Sequence, residues 1–147
     1  MEKQLIVTEE ITIHASLEKV WEVLTLPKYV AQWDELPEDY PSEPMTEGSK
    51  VVWDLPNGEQ SITTIIKAEK ERELIIDLHG TGWKFKPEPG EVAYRYLLEP
   101  AGNHTKLVIE IGDFSLLDQG KDYYDASVDF AKESSNVIKA LAENESK

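Results

Sequence analysis

Hydrophobic and polar residues follow two periods along this chain, and the longest pattern lies at its carboxyl end. From about Asp118 to Asn144, apolar and small residues recur every three or four positions with charged residues between them, which predicts one amphipathic helix. Its wide apolar face needs the rest of the chain to cover it. The middle of that face carries small residues: Ser127, Ala131, Ser134 and Ser135. The helix alone favours close packing there, with an open ligand cavity as the alternative.

Upstream of this helix, apolar residues alternate with polar ones at a period of two, which is typical of strands with one face toward a core. The predicted strands cover residues 5–14, 51–55, 61–68, 74–78, 92–98 and 107–111. A short segment at 83–85 lies between the fourth and the fifth of them. Turn sequences separate them, Asn57-Gly58 being a strong hairpin signal. Strands joined by hairpins pair in antiparallel fashion.

Two short helices and a long loop are predicted between the first two strands. Ser16 caps the first helix and Pro27 opens the second. The loop, at 34–48, is rich in proline and acidic residues, and loops of this length often form the mouths of sites. Tyr40 and Met45 are the loop residues able to fold over an apolar opening.

The order of elements predicts the fold class. It is α+β, a curved antiparallel sheet of about six strands wrapped around a long C-terminal helix, with two short helices after the first strand. A chain of 147 residues is the usual size of one domain, so residues 1–147 are expected to form a single one.

Composition and charge exclude several classes of partner. The net charge of -14 repels phosphate backbones and anionic membranes, so neither nucleic acid nor membrane is an expected partner. The chain has no cysteine, and its first residues lack the apolar core of a signal peptide. We therefore expect a soluble, cytoplasmic protein.

One stretch resembles a known superfamily. The run Ile11 to Thr25, with its Ala15-Ser16 and Val20-Trp21 pairs, Pro27 beyond it and then Trp33, resembles the amino-terminal signature of the START/Bet-v-like helix-grip superfamily, also called SRPBCC. The chain is most similar to single-domain bacterial homologues of the carboxy-terminal domain of the heat-shock-protein-ninety ATPase activator. The resemblance covers essentially the whole chain.

The resemblance implies a ligand cavity between the C-terminal helix and the sheet, opening near the loop. With the strands' inward parity, it implies ligand-binding residues on the sheet, the helix and the mouth: Trp33, Tyr40, Met45, Trp53, Thr64, Ile76, Leu78, Trp83, Tyr94, Tyr96, Tyr124, Ser127, Val128, Ala131 and Ser135. It raises the open-cavity interpretation of the small helix residues above close packing.

Catalytic motifs give no comparable signal. The three histidines, His14, His79 and His104, have no metal-ligand spacing, and no Gly-x-Ser-x-Gly elbow is present. We predict no catalytic residue, no metal and no cofactor. A cavity enzyme of polyketide-cyclase type would need Glu9, or one of the tyrosines Tyr94, Tyr96 and Tyr124, aimed at a bound carbonyl.

Three functions therefore stand as hypotheses. The leading one is a non-catalytic monomer that binds a small hydrophobic or aromatic molecule. The second is a protein-interaction module or chaperone cofactor that uses its acidic surface toward a basic partner. The third is the cyclase-like enzyme.

Overall fold

The computed structural model describes residues 5–34, 36, 40, 43–84, 87–117 and 120–144. In chain order its elements are β1 (Val7–Ile13), α1 (Leu17–Thr25), α2 (Pro27–Trp33), β2 (Lys50–Asp54), β3 (Gln60–Glu69), β4 (Glu73–Gly80), β5 (Ala93–Ala101), β6 (His104–Gly112), one 3₁₀ turn (Phe114–Leu116) and α3 (Gly120–Asn144). The predicted short segment at 83–85 is not a strand at Trp83, and Phe85 lies outside the described residues.

The strands form one curved antiparallel sheet in the order β1-β6-β5-β4-β3-β2. Consecutive strands from β2 to β6 are neighbours, as hairpin connections require, and β1 pairs with β6 at the far edge. The α+β helix-grip prediction is confirmed, with β1 and β2 as the two open edges of the sheet.

Local signals set the two short helices. The Ser16 side chain accepts a hydrogen bond from the Lys19 backbone N–H at 3.1 Å, which caps α1. Pro27 begins α2, where its missing N–H costs no helical hydrogen bond. The indole Nε1–H of Trp33 donates to the Val23 carbonyl at 2.8 Å, so α1 fixes the ring at the end of α2.

The end of the long loop is fastened to the same layer. The Met45 backbone N–H donates to the Thr25 carbonyl at 2.8 Å, and the Met45 side chain is buried. Three residues on, the Gly48 N–H donates to the Ile65 carbonyl at 2.7 Å, joining the loop to β3. Met45 is therefore held between α1 and the sheet.

A bulge in β3 decides which of its residues face inward. Ile65 pairs with Ile76 of β4, whereas Lys67 pairs with Ile75, so one extra residue stands between them. The side-chain alternation changes phase there. On the amino-terminal side of the bulge, Ile65 is the buried residue of the strand.

Helix α3 lies against α1, α2, β1 and β6. Its small residues Ser127, Ala131, Ser134 and Ser135 are buried, and Ala131 is fully inaccessible to solvent. The hydroxyl of Ser135 donates to the carbonyl of Lys132 within the helix at 2.9 Å. The middle of α3 is therefore buried against the rest of the fold.

The last turns of α3 are tied to the end of β1 by ionic hydrogen bonds. The Glu143 carboxylate accepts from the His14 backbone N–H at 2.8 Å and from the Lys139 ammonium. Lys139 also donates to the Thr12 carbonyl at 2.9 Å. These hydrogen bonds, first from Lys139 and then from His14, hold the pKa of Glu143 below its ordinary value of 4.5.

Replacing Glu143 with glutamine is expected to reduce the free energy of unfolding at neutral pH by about 1 kcal/mol, since Lys139 and the His14 N–H then donate to a neutral amide oxygen instead of a carboxylate. A carboxyl whose folded pKa is depressed stabilises the fold above its unfolded pKa and loses that contribution as the pH falls through the folded one. The deficit should therefore shrink as the pH falls below about 4.5. Urea unfolding at several pH values measures it. Glu133→Gln, on the exposed face of α3, is the matched control, and equal stability of the two variants at neutral pH would contradict the assignment.

Candidate functional site

A cavity of about 150 Å³ lies between the concave face of the sheet and the layer formed by α1, α2 and the end of the long loop. The apolar part of its lining comes from both layers: Leu24, Val30, Leu36, Met45, Val51, Ile65, Ile76 and Leu78. The strands β2 to β5 and both short helices thus contribute to one largely apolar space.

Among the described residues, four aromatic side chains also line the cavity: Trp33, Trp53, Tyr94 and Tyr96. Trp33 and Tyr96 are buried and meet edge to face, with ring centroids 5.6 Å apart. Tyr94 meets Phe130 of α3 edge to face at 5.9 Å, which fixes its ring from the other side. Trp53, 37% exposed, lies toward solvent at the edge of the cavity.

The polar lining is small and carries one charge among the described residues. Hydroxyls come from Ser49, Ser61 and Thr63, and the carboxylate comes from Asp34 at the exposed end of α2. Burial raises the pKa of Tyr94 and Tyr96, and the negative charge of Asp34 raises both further. Both phenols therefore stay protonated at neutral pH and retain an O–H to donate.

The structure brings one group of the predicted site residues to this cavity: Trp33, Met45, Trp53, Ile76, Leu78, Tyr94 and Tyr96. Tyr40 does not itself line the cavity, but its hydroxyl forms a hydrogen bond with Ser49, which does. These residues come from the inward parity of the strands, from α2 and from the loop, as the pattern indicates.

The remaining predicted residues lie elsewhere. Thr64 points to the opposite face of β3, because the bulge gives the inward positions to Ser61, Thr63 and Ile65. The residues predicted on the C-terminal helix do not line the cavity: Tyr124, Ser127, Val128, Ala131 and Ser135. The cavity described here therefore lies beside α2, where α3 packs on α1, α2 and β1. Ligand contacts from the middle of α3 stay a prediction.

Several lining residues were missing from the sequence prediction. Asp34 belongs to the segment read as a solvated loop, and its contact with the cavity follows from the point at which α2 ends. Ser49 is held by its carbonyl, which accepts from the Ile65 N–H at 2.9 Å. Val51 had a usable signal, since it shares its strand parity with Trp53.

A second space of about 280 Å³ adjoins the first at the β2–β3 hairpin. Trp83 and Tyr123 line it, with the indole Nε1–H of Trp83 donating to the Tyr123 hydroxyl at 3.1 Å. Ser61 and Leu78 line both spaces. Trp83, predicted near the mouth, therefore belongs to this neighbouring space.

The described lining residues are mainly apolar and aromatic. They include no histidine, lysine, arginine or cysteine, and Glu9, the carboxylate considered for catalysis, lies in β1 away from the cavity. Across the described ranges no three His, Cys, Asp or Glu side chains converge as metal ligands. Within the same ranges no helix has the length and apolar character needed to cross a membrane.

The chain matches the model of one known protein family. The family model described as activator of Hsp90 ATPase homolog 1-like protein matches residues 14–143. No curated protein has a significantly similar sequence.

Solved structures share the fold at low sequence identity. The Aha1 dimer from Colwellia psychrerythraea is 17% identical with a TM-score of 0.69, the match covering 94% of this chain and 96% of that one. Protein MLL2253 from Mesorhizobium loti is 15% identical with a TM-score of 0.71, covering 95% and 97%. DynU16, a protein of the dynemicin biosynthetic locus, is 19% identical with a TM-score of 0.68, and the match spans 96% of this chain but 48% of DynU16. At these identities the likeness concerns the fold.

Proposed function

The chain belongs to the family of activator of Hsp90 ATPase homolog 1-like proteins, and on that premise we propose that it binds a small, largely apolar or aromatic molecule in the cavity beside α2. The observation that carries this proposal is the cavity wall itself. In the described part of the wall, aliphatic and aromatic side chains predominate, and a few hydroxyls and the Asp34 carboxylate add polar groups of the kind that orient ligands.

The size of the cavity limits the ligand. An apolar cavity of about 150 Å³ holds a molecule of about the size of benzene. A larger ligand would extend past Trp53 toward solvent or into the neighbouring space lined by Trp83. The proposal therefore concerns one aromatic ring or a short aliphatic body.

Native mass spectrometry of gently purified protein, compared with the same sample after denaturation, tests the proposal. The bare chain has a mass of 16.7 kDa. We expect the native species to carry an additional small mass that disappears on denaturation. A bare native mass, together with no binding of small aromatic probes, would refute the proposal.

A second candidate function is protein binding at the open edge strand β2. Val52 is 42% exposed and Leu55, just beyond the strand, is 38% exposed, and an edge strand presents unpaired backbone groups to a partner. The Colwellia neighbour is described as a dimer, whereas we propose a monomer for this chain on the basis of its strongly acidic surface. The same native spectrum distinguishes a dimer from a monomer directly.

A further inference from the structure

The edge strand β2 leaves alternate backbone groups without a partner in the sheet. The Leu55 N–H donates to the Glu59 carbonyl at 2.8 Å, and the Ser49 carbonyl accepts from the Ile65 N–H at 2.9 Å. In an antiparallel ladder, residues that exchange hydrogen bonds with the neighbouring strand alternate with residues that do not. Every second residue from Ser49 to Leu55 therefore directs its N–H and C=O toward β3.

The residues in between direct theirs toward the open edge: Lys50, Val52 and Asp54. Within the described ranges, no backbone hydrogen bond joins these groups to another element on that side. Their side chains lie on the outer face of the sheet, where Val52 is 42% exposed. A strand added at this edge would meet a row of free donors and acceptors beside an exposed aliphatic side chain.

The charges in this row are complementary to themselves. Lys50 and Asp54 lie two positions from Val52 on either side. When a second copy of β2 lies antiparallel with Val52 opposite Val52, each Lys50 lies opposite Asp54 of the other copy. Cross-strand pairs of opposite charge stabilise a sheet. A lysine on an edge strand ordinarily opposes pairing, but in this register it meets a carboxylate.

Both charged groups can form such a pair. The Gln60 side-chain amide donates to Asp54 Oδ1 at 3.0 Å, a hydrogen bond from a neutral group that leaves the second carboxylate oxygen available. Among the described residues, neither Lys50 nor Asp54 has an ion-pair partner. An ion pair between two copies would therefore form without breaking an existing one.

We propose, on the basis of the second candidate function above, that the partner of β2 is β2 of a second copy of this chain, paired antiparallel about Val52. The N–H and C=O groups of Lys50, Val52 and Asp54 then form hydrogen bonds with those of Asp54, Val52 and Lys50 of the second copy. The two six-stranded sheets become one continuous sheet across a two-fold axis.

The pairing also affects the side of the cavity that is open to solvent. Val51 and Trp53 line the cavity, and Trp53 is 37% exposed. The same register places Trp53 opposite Val51 of the second copy, on the same face of the sheet. The second copy therefore covers part of the exposed indole, so each copy contributes a residue beside the other's cavity.

Concentration and salt determine how much of this dimer forms. Each copy carries a net charge of -14, which opposes association, and the pairing is confined to a strand of five residues. The monomer proposed above is thus the species expected in dilute solution. Pairing is expected in concentrated protein at moderate salt, because salt screens the long-range repulsion.

Sedimentation equilibrium of the full chain, from about 10 µM to about 1 mM protein at moderate salt, measures this association. We expect the dimer fraction to rise with concentration. Lys50→Asp and Asp54→Lys each place like charges opposite one another at both ends of the pairing, so each should raise the Kd about tenfold. The double variant Lys50→Asp/Asp54→Lys brings opposite charges together again and should restore the Kd of the wild-type chain.

A general effect of net charge gives a different order of variants. Lys50→Asp makes the chain more negative and Asp54→Lys makes it less negative, so net charge alone would weaken association in the first and strengthen it in the second. That order, or equal Kd values for all variants, would overturn the proposed register. A chain that stays monomeric over the whole range would overturn self-pairing, and protein binding at β2 would then concern partners other than this chain.

Amide hydrogen exchange followed by NMR locates the contact. Exchange at Lys50, Val52 and Asp54 should be slower in concentrated than in dilute protein, whereas Val51 and Trp53, already bonded to β3, should change little. A dimer without this alternating protection would overturn the proposal. These measurements involve no ligand, so their failure leaves the cavity function to the native mass spectrum, and an empty cavity does not alter them.

Discussion

Replacing Thr63 with tryptophan is expected to abolish ligand binding and leave the fold intact. Thr63 occupies the middle of the cavity wall, since it pairs with Val51 of β2 on one side and Leu78 of β4 on the other. All three residues line the cavity. An indole at this position would occupy the cavity itself. It would therefore exclude the ligand without displacing packed side chains.

The loss should be large and specific to one face of the strand. We expect the Kd of a small aromatic probe such as benzyl alcohol, measured by isothermal titration, to rise at least about 100-fold. Thr64→Trp is the matched control, because Thr64 pairs with Lys50 and Asp77 and points to the opposite face. Retained binding in a folded Thr63→Trp variant would show that the probe binds at another site.

Replacing Ala131 with phenylalanine is expected to destabilise the protein by about 3 kcal/mol through overpacking. Ala131 is fully buried where α3 packs on the rest of the fold, and it does not line the cavity. The alternative interpretation, an open cavity under α3, predicts instead a stable variant that has lost its ligand. Urea unfolding combined with titration of the folded protein distinguishes these two results.

The control for this substitution lies on the same helix. Ala140 is exposed, so Ala140→Phe adds the same ring without a buried neighbour and should change stability little. A folded Ala131→Phe protein with unchanged stability and no ligand binding would instead show that the ligand binds under the middle of α3.

The sequence was sufficient for the architecture because the architecture depends on periodicity. The apolar spacing of α3, the alternation in β5 and β6 and the Asn57-Gly58 turn each act over a few neighbouring residues. The observed bounds of α3, Gly120–Asn144, follow this pattern closely. On β4 and β5 the same alternation also predicts the inward residues Ile76, Tyr94 and Tyr96.

The parity of β3 could not be predicted in this way. Counting back from Ala68, which packs against the core, in steps of two gives Ile66 and Thr64 as inward residues. The bulge between Ile65 and Lys67 adds one residue and moves the inward positions to Ile65 and Thr63. Nothing in the stretch Ile65-Ile66-Lys67 marks the bulge, since glycine and proline are both absent from it.

The place of the cavity was also beyond sequence periodicity. Small residues at Ser127 and Ala131 are compatible with an open space or with close contact, and the choice depends on where the other layers lie. In the structure α3 is packed against α1 and α2. Asp34 reaches the cavity because α2 ends there, next to Trp33, whose ring is held by its hydrogen bond to the Val23 carbonyl.

The wall shared by the two adjoining spaces has a consequence for selectivity among molecules of different length. Among the described residues, Ser61 and Leu78 line both spaces and so stand between the first and the second. A compact molecule would fit the first space alone, whereas one that extended into the second would have to pass these two side chains. Access to the second space thus depends on one small and one large residue on neighbouring strands, and a substitution of either would change it without any change in the backbone.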